Sequence, residues 1–252
     1  MTGLSMPKIK RQYHPFAAVF VLFAALGASP SRSDTLRDCE QDDVAMTALR
    51  ACTQLLGESN LDDATRSRIH TLRGIAWMTE DDPAAAADDF SKAIQLDGAN
   101  LRAISTRAKA YSLLGNHELA AADWGRLIEM KPDTEEYYRN RGASYLGAGN
   151  TDAAFADYNK ALAINPKSKE AHIGKAQIYD HLGDRENSLK EFASAIEIDP
   201  TYIPAYWEKA QAAERWGDDQ LAIETYSTLL KYNGVYSHAR KRLQKLGVMT
   251  PP

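Results

Sequence analysis

Six histidines, two cysteines and 34 carboxylates are the side chains with which this chain could do chemistry. The histidines are His14, His70, His117, His172, His181 and His238. A zinc protease needs two of them one helical turn apart with a glutamate between, and no H-E-x-x-H pair occurs. His172 and His181 share a helix-forming stretch but stand nine residues apart, so they read as unconnected helix histidines. There is no G-x-S-x-G elbow, no Walker loop, and no G-x-G-x-x-G after a strand. Gly147-Ala148-Gly149 is a turn between helices, because no strand precedes it. Asp81, Asp82, Asp152, Asp184, Asp218 and Asp219 lie where helices start, and a helix N-terminus favours acids. No acid–base pair is brought together, so catalysis, a metal and a cofactor are not expected.

Cys39 and Cys52 are 13 residues apart. On one continuous helix they would be about 20 Å apart and could not bond. Asp42-Asp43 looks like a helix start, and an extended return from Cys52 to Cys39 then closes the gap. In an oxidising compartment a Cys39–Cys52 disulfide is the expected outcome, with two buried thiols as the alternative.

Export supplies that compartment. Lys8, Lys10 and Arg11 precede an apolar run, Phe16 to Ala28, of 13 residues. A membrane span needs about 20 residues, whereas the core of a signal peptide needs about 7–15. Small residues at Gly27, Ala28, Ser29, Ser31 and Ser33 permit cleavage after Gly27 or after Ser33. A signal peptide over 1–33 predicts a periplasmic protein without membrane insertion, the alternative being an uncleaved signal anchor. Residues 1–33 carry four basic side chains (Lys8, Lys10, Arg11, Arg32) and no acid, so their removal lowers the formal charge from −4 to −8. So acidic a chain is ill suited to nucleic acid, which calls for a concentrated basic face.

The elements that would position any site come from internal repetition. Five blocks of 34 residues align without a gap: 67–100, 101–134, 135–168, 169–202 and 203–236. The eighth position is small throughout (Gly74, Ala108, Gly142, Ala176, Ala210). The eleventh is Trp77, Tyr111, Tyr145, Tyr179 and Ala213. The twentieth is Ala86, Ala120, Ala154, Ser188 and Ala222, and the twenty-fourth Phe90, Trp124, Tyr158, Phe192 and Tyr226. The twenty-seventh is Ala93, Leu127, Ala161, Ala195 and Leu229, and Pro132, Pro166 and Pro200 close three blocks. Positions twenty, twenty-four and twenty-seven form one helical face, and a Gly near mid-block separates two helices. The chain is therefore all-α, with two helices per block.

This order of residue types resembles the tetratricopeptide repeat. The resemblance covers 67–236 and implies a right-handed α-α superhelix whose first helices line a concave groove that binds protein or peptide. Ser237 to Gly247, with Ala239, Leu243 and Leu246 at helical spacing, reads as a capping helix, and 237–252 as cap and tail. Ala45, Leu49, Cys52, Leu55 and Gly57 fit the second helix of a further, partial unit within 34–66, whose first helix is missing or truncated, with 58–66 as a connection.

By the same resemblance, the second, fifth, ninth and twelfth positions face the groove. Arg68, Arg102, Lys109 and Arg139 make its first half basic around Glu136, and Glu170, Asp180 and Glu214 make its second half acidic. Asn140, Gln177, Gln211 and Trp207 complete the candidate contacts, Trp207 as an aromatic anchor. The clamp that chaperone-binding members use for an acidic tail is not present, Asn140 being a lone match. The expected function is a non-catalytic binding module for a protein or peptide whose acidic part lies toward the second and third repeats. The alternative is a structural subunit of an envelope assembly.

A second pattern is independent of the groove. The seventh position is basic in every block (Arg73, Arg107, Arg141, Lys175, Lys209). The twenty-third is acidic in four (Asp89, Asp123, Asp157, Glu191), with Thr225 in the fifth. Long Arg accompanies short Asp, and Lys accompanies Glu. Matched sizes predict charge-assisted pairs across the helix pair or between neighbouring units, the Arg–Asp ones often bidentate, the alternative being a basic stripe for an anionic ligand.

Overall fold

The computed structural model describes residues 31–41 and 44–248; residues 1–30, which make up most of the expected signal peptide over 1–33, Asp42-Asp43, read as a helix start, and 249–252 lie outside the described residues. Thirteen helices and no strand occur among the described residues. A short α1 (Arg32–Cys39) and α2 (Ala45–Leu56) come first, then α3 (Asp63–Thr79) with α4 (Pro83–Leu96), and α5 (Leu101–Leu113) with α6 (His117–Met130). They are followed by α7 (Glu135–Gly147) with α8 (Thr151–Ile164), α9 (Lys169–His181) with α10 (Arg185–Ile198), α11 (Ile203–Arg215) with α12 (Asp219–Tyr232), and α13 (Ser237–Lys245). Each helix packs on the next, and α3, α7 and α9 also touch the first helix of the following unit, the contact pattern of an α-α solenoid.

One turn chemistry joins the pairs. Gly115, Gly149, Gly183 and Gly217 have φ between 71° and 79°, the left-handed conformation that ends a helix. The next residue's N–H then reaches back to the carbonyl at position eleven: Asn116 to Tyr111, Asn150 to Tyr145 and Asp184 to Tyr179, each at 2.8 Å. That same residue caps the following helix. The side chains of Asn150, Asp184 and Asp218 accept from Ala153, Asn187 and Leu221 N–H. In the first full unit Asp81 takes the left-handed place, with φ 61°.

The core is the repeated face. Ala86, Phe90 and Ala93, and their counterparts in the next four units, are buried. Tyr158 lies so close to α9 that a Cβ added to Gly174 would meet its ring at 2.2 Å. Only glycine fits there.

The N-terminal pair obeys the same rules in a shifted frame. Ala48, Cys52 and Leu55 are buried as Ala86, Phe90 and Ala93 are, and α2 starts where the second helix of every unit starts once the frame moves back by four residues. Cys39 and Cys52 then occupy positions eleven and twenty-four, the places of Trp77 and Phe90. α1 is thus a truncated first helix rather than a missing one. Capped by Ser31, it begins at Arg32, so cleavage after Ser33 would cut into it, whereas cleavage after Gly27 leaves it whole. The connection is also shorter than the sequence suggests. α3 begins at Asp63, capped by Asp62, because the four extra residues extend the helix instead of the loop.

Candidate partner-binding face and the ladder beneath it

The ladder residues meet in four units. Arg73 Nε and Nη2 each donate to Asp89 at 2.8 Å. Arg107 grips Asp123 at 2.8 and 2.7 Å, and Arg141 grips Asp157 at 2.7 and 2.8 Å. Lys175 Nζ lies 2.7 Å from Glu191. The carboxylates are nearly buried; the Asp89 side chain is 3% exposed. Arg73 and Arg107 also donate to the preceding unit, to Thr53 Oγ1 at 3.1 Å and Ser91 Oγ at 3.0 Å. These two guanidiniums therefore tie their own helix pair to the pair before it, and the Asp123 hydrogen bonds hold the Arg107 cation above its ordinary pKa.

Two rungs carry a third member. His70 Nδ1 is 2.8 Å from Asp89, and His172 Nδ1 is 2.6 Å from Glu191. These histidines are not unconnected, as the sequence suggested: both stand at position four, three periods apart, and each faces its unit's carboxylate. The informative comparison was between His70 and His172 in register, not between His172 and His181 along one helix. Burial pushes the Asp89 and Glu191 carboxyls up, but hydrogen bonds from the histidine and the rung cation outweigh it and hold both below the usual range. Cys39 and Cys52 are disulfide-bonded, with Cα atoms 4.9 Å apart.

The face of the first helices carries most of the predicted partner contacts, and much of its charge is already paired. Arg68 Nη2 is 2.5 Å from Glu40, and Lys109 Nζ is 3.5 Å from Glu136. Asn140 bridges Glu136 and Arg139, accepting from Arg139 Nη1 at 3.3 Å and donating to Glu136 at 3.4 Å. Arg139 Nε lies 3.3 Å from Glu135 Oε1 but is not aligned on it, and is buried without a hydrogen bond. Ser168 donates to the same Glu135 oxygen at 2.5 Å. Two of the three acids of the acidic half, Asp180 and Glu214, are neutralised as well. Arg215 places Nε 2.9 Å and Nη2 2.7 Å from Asp180, and Arg242 grips Glu214. The division into a basic and an acidic half therefore overstates the free charge, since Glu40, Glu135, Arg215 and Arg242 stand outside the positions read for the groove.

Trp207 is not the exposed anchor expected. It is half-buried, 5.5 Å from Tyr226 and 5.4 Å from Tyr236 between ring centroids, with His238 beside them. Tyr236, just ahead of α13, covers it. Gln177 and Gln211 are also half-buried. Arg102 differs from its neighbours: it is exposed and has no carboxylate within 4 Å among the described residues. It borders a cavity of about 300 Å³ with Arg68, Thr71, Asn100 and Glu40. Asn100 is fixed there by donating to Ser67 and Thr71, both at 3.0 Å. Among the described residues no group of three or more His, Cys, Asp or Glu side chains is placed to hold a metal.

Two tetratricopeptide-repeat family models match the chain, over residues 106–169 and 145–213. No curated protein sequence matches it significantly. Among solved structures, a tetratricopeptide repeat protein from Parabacteroides merdae superposes with a TM-score of 0.69 at 20% identity, covering 85% of this chain and 87% of that one. A thermophilic member from Thermus thermophilus gives 0.62 at 18% identity, covering 73% and 100%. YrrB, described as having an unusual peptide-binding site, gives 0.51 at 15% identity, covering 78% and 99%. At these identities the structures show the fold, an α-α solenoid like theirs, and the two family matches, which together span residues 106–213, show tetratricopeptide repeats in this chain.

Proposed function

We propose that this protein is an exported interaction module that holds a segment of a protein partner on the face of its first helices, without chemistry of its own. The observation that carries the reading is the cavity beside Arg102. On a face where Arg68, Lys109, Asp180 and Glu214 all have partners, Arg102 presents an exposed cation next to a fixed amide and hydroxyls. The amide and hydroxyls are satisfied among themselves and form a fixed wall, so the free group is the guanidinium, which suits a carboxylate of an acidic segment. The peptide-binding site named for YrrB is consistent with it. Export rests on the basic and apolar leader and on the disulfide, which an oxidising compartment such as the periplasm maintains.

Partner capture from periplasmic extract tests the reading. Arg102→Glu reverses the free charge while leaving the existing pairs intact, and is expected to abolish capture with folding unchanged. Lys109→Glu with Arg139→Glu is expected to weaken capture less, because those cations are already engaged. Undiminished capture by Arg102→Glu places the site elsewhere. A second reading, assembly through the turn edge, is favoured by Leu113 and Leu182, each 68% exposed beside the turn glycines. Capture that survives Arg102→Glu and fails in Leu113→Ser with Leu182→Ser selects it.

A further inference from the structure

The ladder has five cations and four carboxylates. In the fifth unit Lys209 stands at position seven, and position twenty-three is the buried Thr225. Lys209 is half-buried, and no carboxylate approaches its ammonium within 4 Å among the described residues. Burial lowers its pKa, offset in part by Glu224. Beside it opens a cavity of about 270 Å³ bordered by Tyr206, Glu224, Thr225 and Thr228, with Ile196 and Leu221 as apolar walls. In the unit before, the corresponding cation is closed by Glu191 at 2.7 Å.

The groups facing the cavity do not close it from within. Glu224 accepts from Gln220 Nε2 at 2.7 Å on its own helix. Tyr206 donates to Pro200 O at 2.9 Å, and Thr228 donates to Glu224 O at 2.9 Å. A half-buried ammonium whose neighbouring Glu224 stays beyond ion-pair distance is only partly compensated, and a carboxylate that reaches it gains both the ion pair and relief of the remaining cost. Helices α10 and α12 flank the opening, so the site is separate from the face proposed above for partner binding.

We propose that the open fifth rung is a binding site for a carboxylate supplied from outside the chain, which takes the place that Asp89, Asp123, Asp157 and Glu191 fill in the other units. Lys209 provides the charge, Thr225 leaves the space, and the apolar walls admit the short alkyl stem of an aspartate, a glutamate or a free dicarboxylate. The site recognises one carboxylate and carries no sequence information beyond it.

The test uses the mature full-length chain. Glutarate serves as the free carboxylate, and a capped Gly-Gly-Glu-Gly-Gly peptide as the side-chain source; sodium chloride at equal ionic strength is the control. The readout is the NMR signal of the Lys209 ammonium group together with a binding titration. Glutarate or the peptide is expected to shift the Lys209 signal saturably, and Lys209→Met is expected to weaken binding at least about tenfold. Thr225→Glu supplies the missing carboxylate from within and is expected to abolish binding while raising the melting temperature, which shows that the variant folds. Tighter binding of the peptide than of glutarate identifies a protein partner as the source, and the reverse identifies a free carboxylate. The proposal is overturned if neither probe shifts Lys209 beyond the chloride control, or if Thr225→Glu binds as the parent does. It is also overturned if Glu224→Gln alone releases the Lys209 ammonium to a lower pKa and the parent binds no probe, because Glu224 is then the partner in solution.

Discussion

The two ends of the solenoid fill the same pair of positions with different chemistry. At the N-terminal end, positions eleven and twenty-four are Cys39 and Cys52, joined covalently. At the C-terminal end they are Ala213 and Tyr226, and the space left by the missing eleventh aromatic adjoins a cluster of Trp207, Trp216 and Tyr236 over which α13 lays Ala239 and Leu243. Two cysteines are too small to replace Trp77 and Phe90 by volume, so the first end holds by a bond and the second by buried rings. An eight-residue α1 has little stability of its own, and the bond adds a covalent tie to α2. The N-terminal end is therefore conditional on oxidation, and the C-terminal end is indifferent to it.

The ends differ in charge in the same sense, and this gives the largest expected effect. Asp89→Asn leaves Arg73 without its carboxylate in a site that is almost closed. A loss of about 3–5 kcal/mol in the first full unit is expected, toward the lower figure because Arg73 retains some solvent contact. Lys209→Met, at the other end, removes an ammonium with no partner within reach and is expected to be neutral or stabilising. Denaturant unfolding of both variants checks the contrast, and equal losses would break it. Acid sharpens it. The folded carboxyls of Asp89 and Glu191 titrate below their ordinary range. Their contribution is complete above the unfolded value and disappears as the pH falls through the lowered folded one, below about pH 4. Hydrogen exchange at that pH is expected to open the first and fourth units before the fifth, which has no such rung.

Next in size is the bond itself. Reduction, or Cys39→Ser with Cys52→Ser, is expected to cost about 3 kcal/mol, the figure for a loop of this length. The loss should be confined to α1 and α2. Amide exchange should accelerate there and remain unchanged in α12 and α13; spread of the effect to the far end would show that the units are more tightly coupled than nearest-neighbour packing implies. Arg68 would lose Glu40 as α1 frays, so reduction also alters the border of the cavity beside Arg102.

A smaller effect of opposite sign belongs to the C-terminal cluster. Tyr226 Oη is buried with no hydrogen-bond partner among the described residues, and burial pushes its pKa up to about 12. Tyr226→Phe removes a polar atom that gains nothing and is expected to raise stability by about 1 kcal/mol. A drop of that size in thermal unfolding would show that the hydroxyl has found a partner.

The helix pairs were legible because a 34-residue period repeats five times, and each copy votes on the same buried face. The ladder residues stood out for the same reason, as two positions that vary together. Features that break the period were hidden. The four residues Asp63 to Arg66 displace the first unit's frame, so Glu40 was not seen as a twelfth-position groove residue opposite Arg68. The histidines of the first and fourth rungs occur in two units of five and fall below what a column scan registers. Arg215 and Arg242 neutralise Asp180 and Glu214 from positions that no groove rule names, and the burial of Trp207 depends on how Tyr236 turns before α13. Periodic packing is written in the sequence once per unit; the pairing of long flexible side chains is decided in space.

The smallest expected effect returns to the ends through their turns. Four inter-helix turns place glycine at the left-handed position, and the first full unit, which adjoins the disulfide-held end, places Asp81 there with φ 61°. Aspartate tolerates this conformation better than most residues, but its Cβ still meets the strain that glycine avoids. Glycine in turn surrenders more chain entropy on folding, which opposes the gain. The net for Asp81→Gly is a stabilisation of about 0.5–1 kcal/mol, since the other four turns show the geometry that the pair adopts without constraint. Asp82 keeps its capping bond to Ala85 N–H at 2.9 Å, so the start of α4 is not disturbed. If thermal unfolding of the oxidised protein is lowered instead, Asp81 holds its turn by an interaction that the glycine turns lack, and the first unit is then set apart by its loop as well as by its bond.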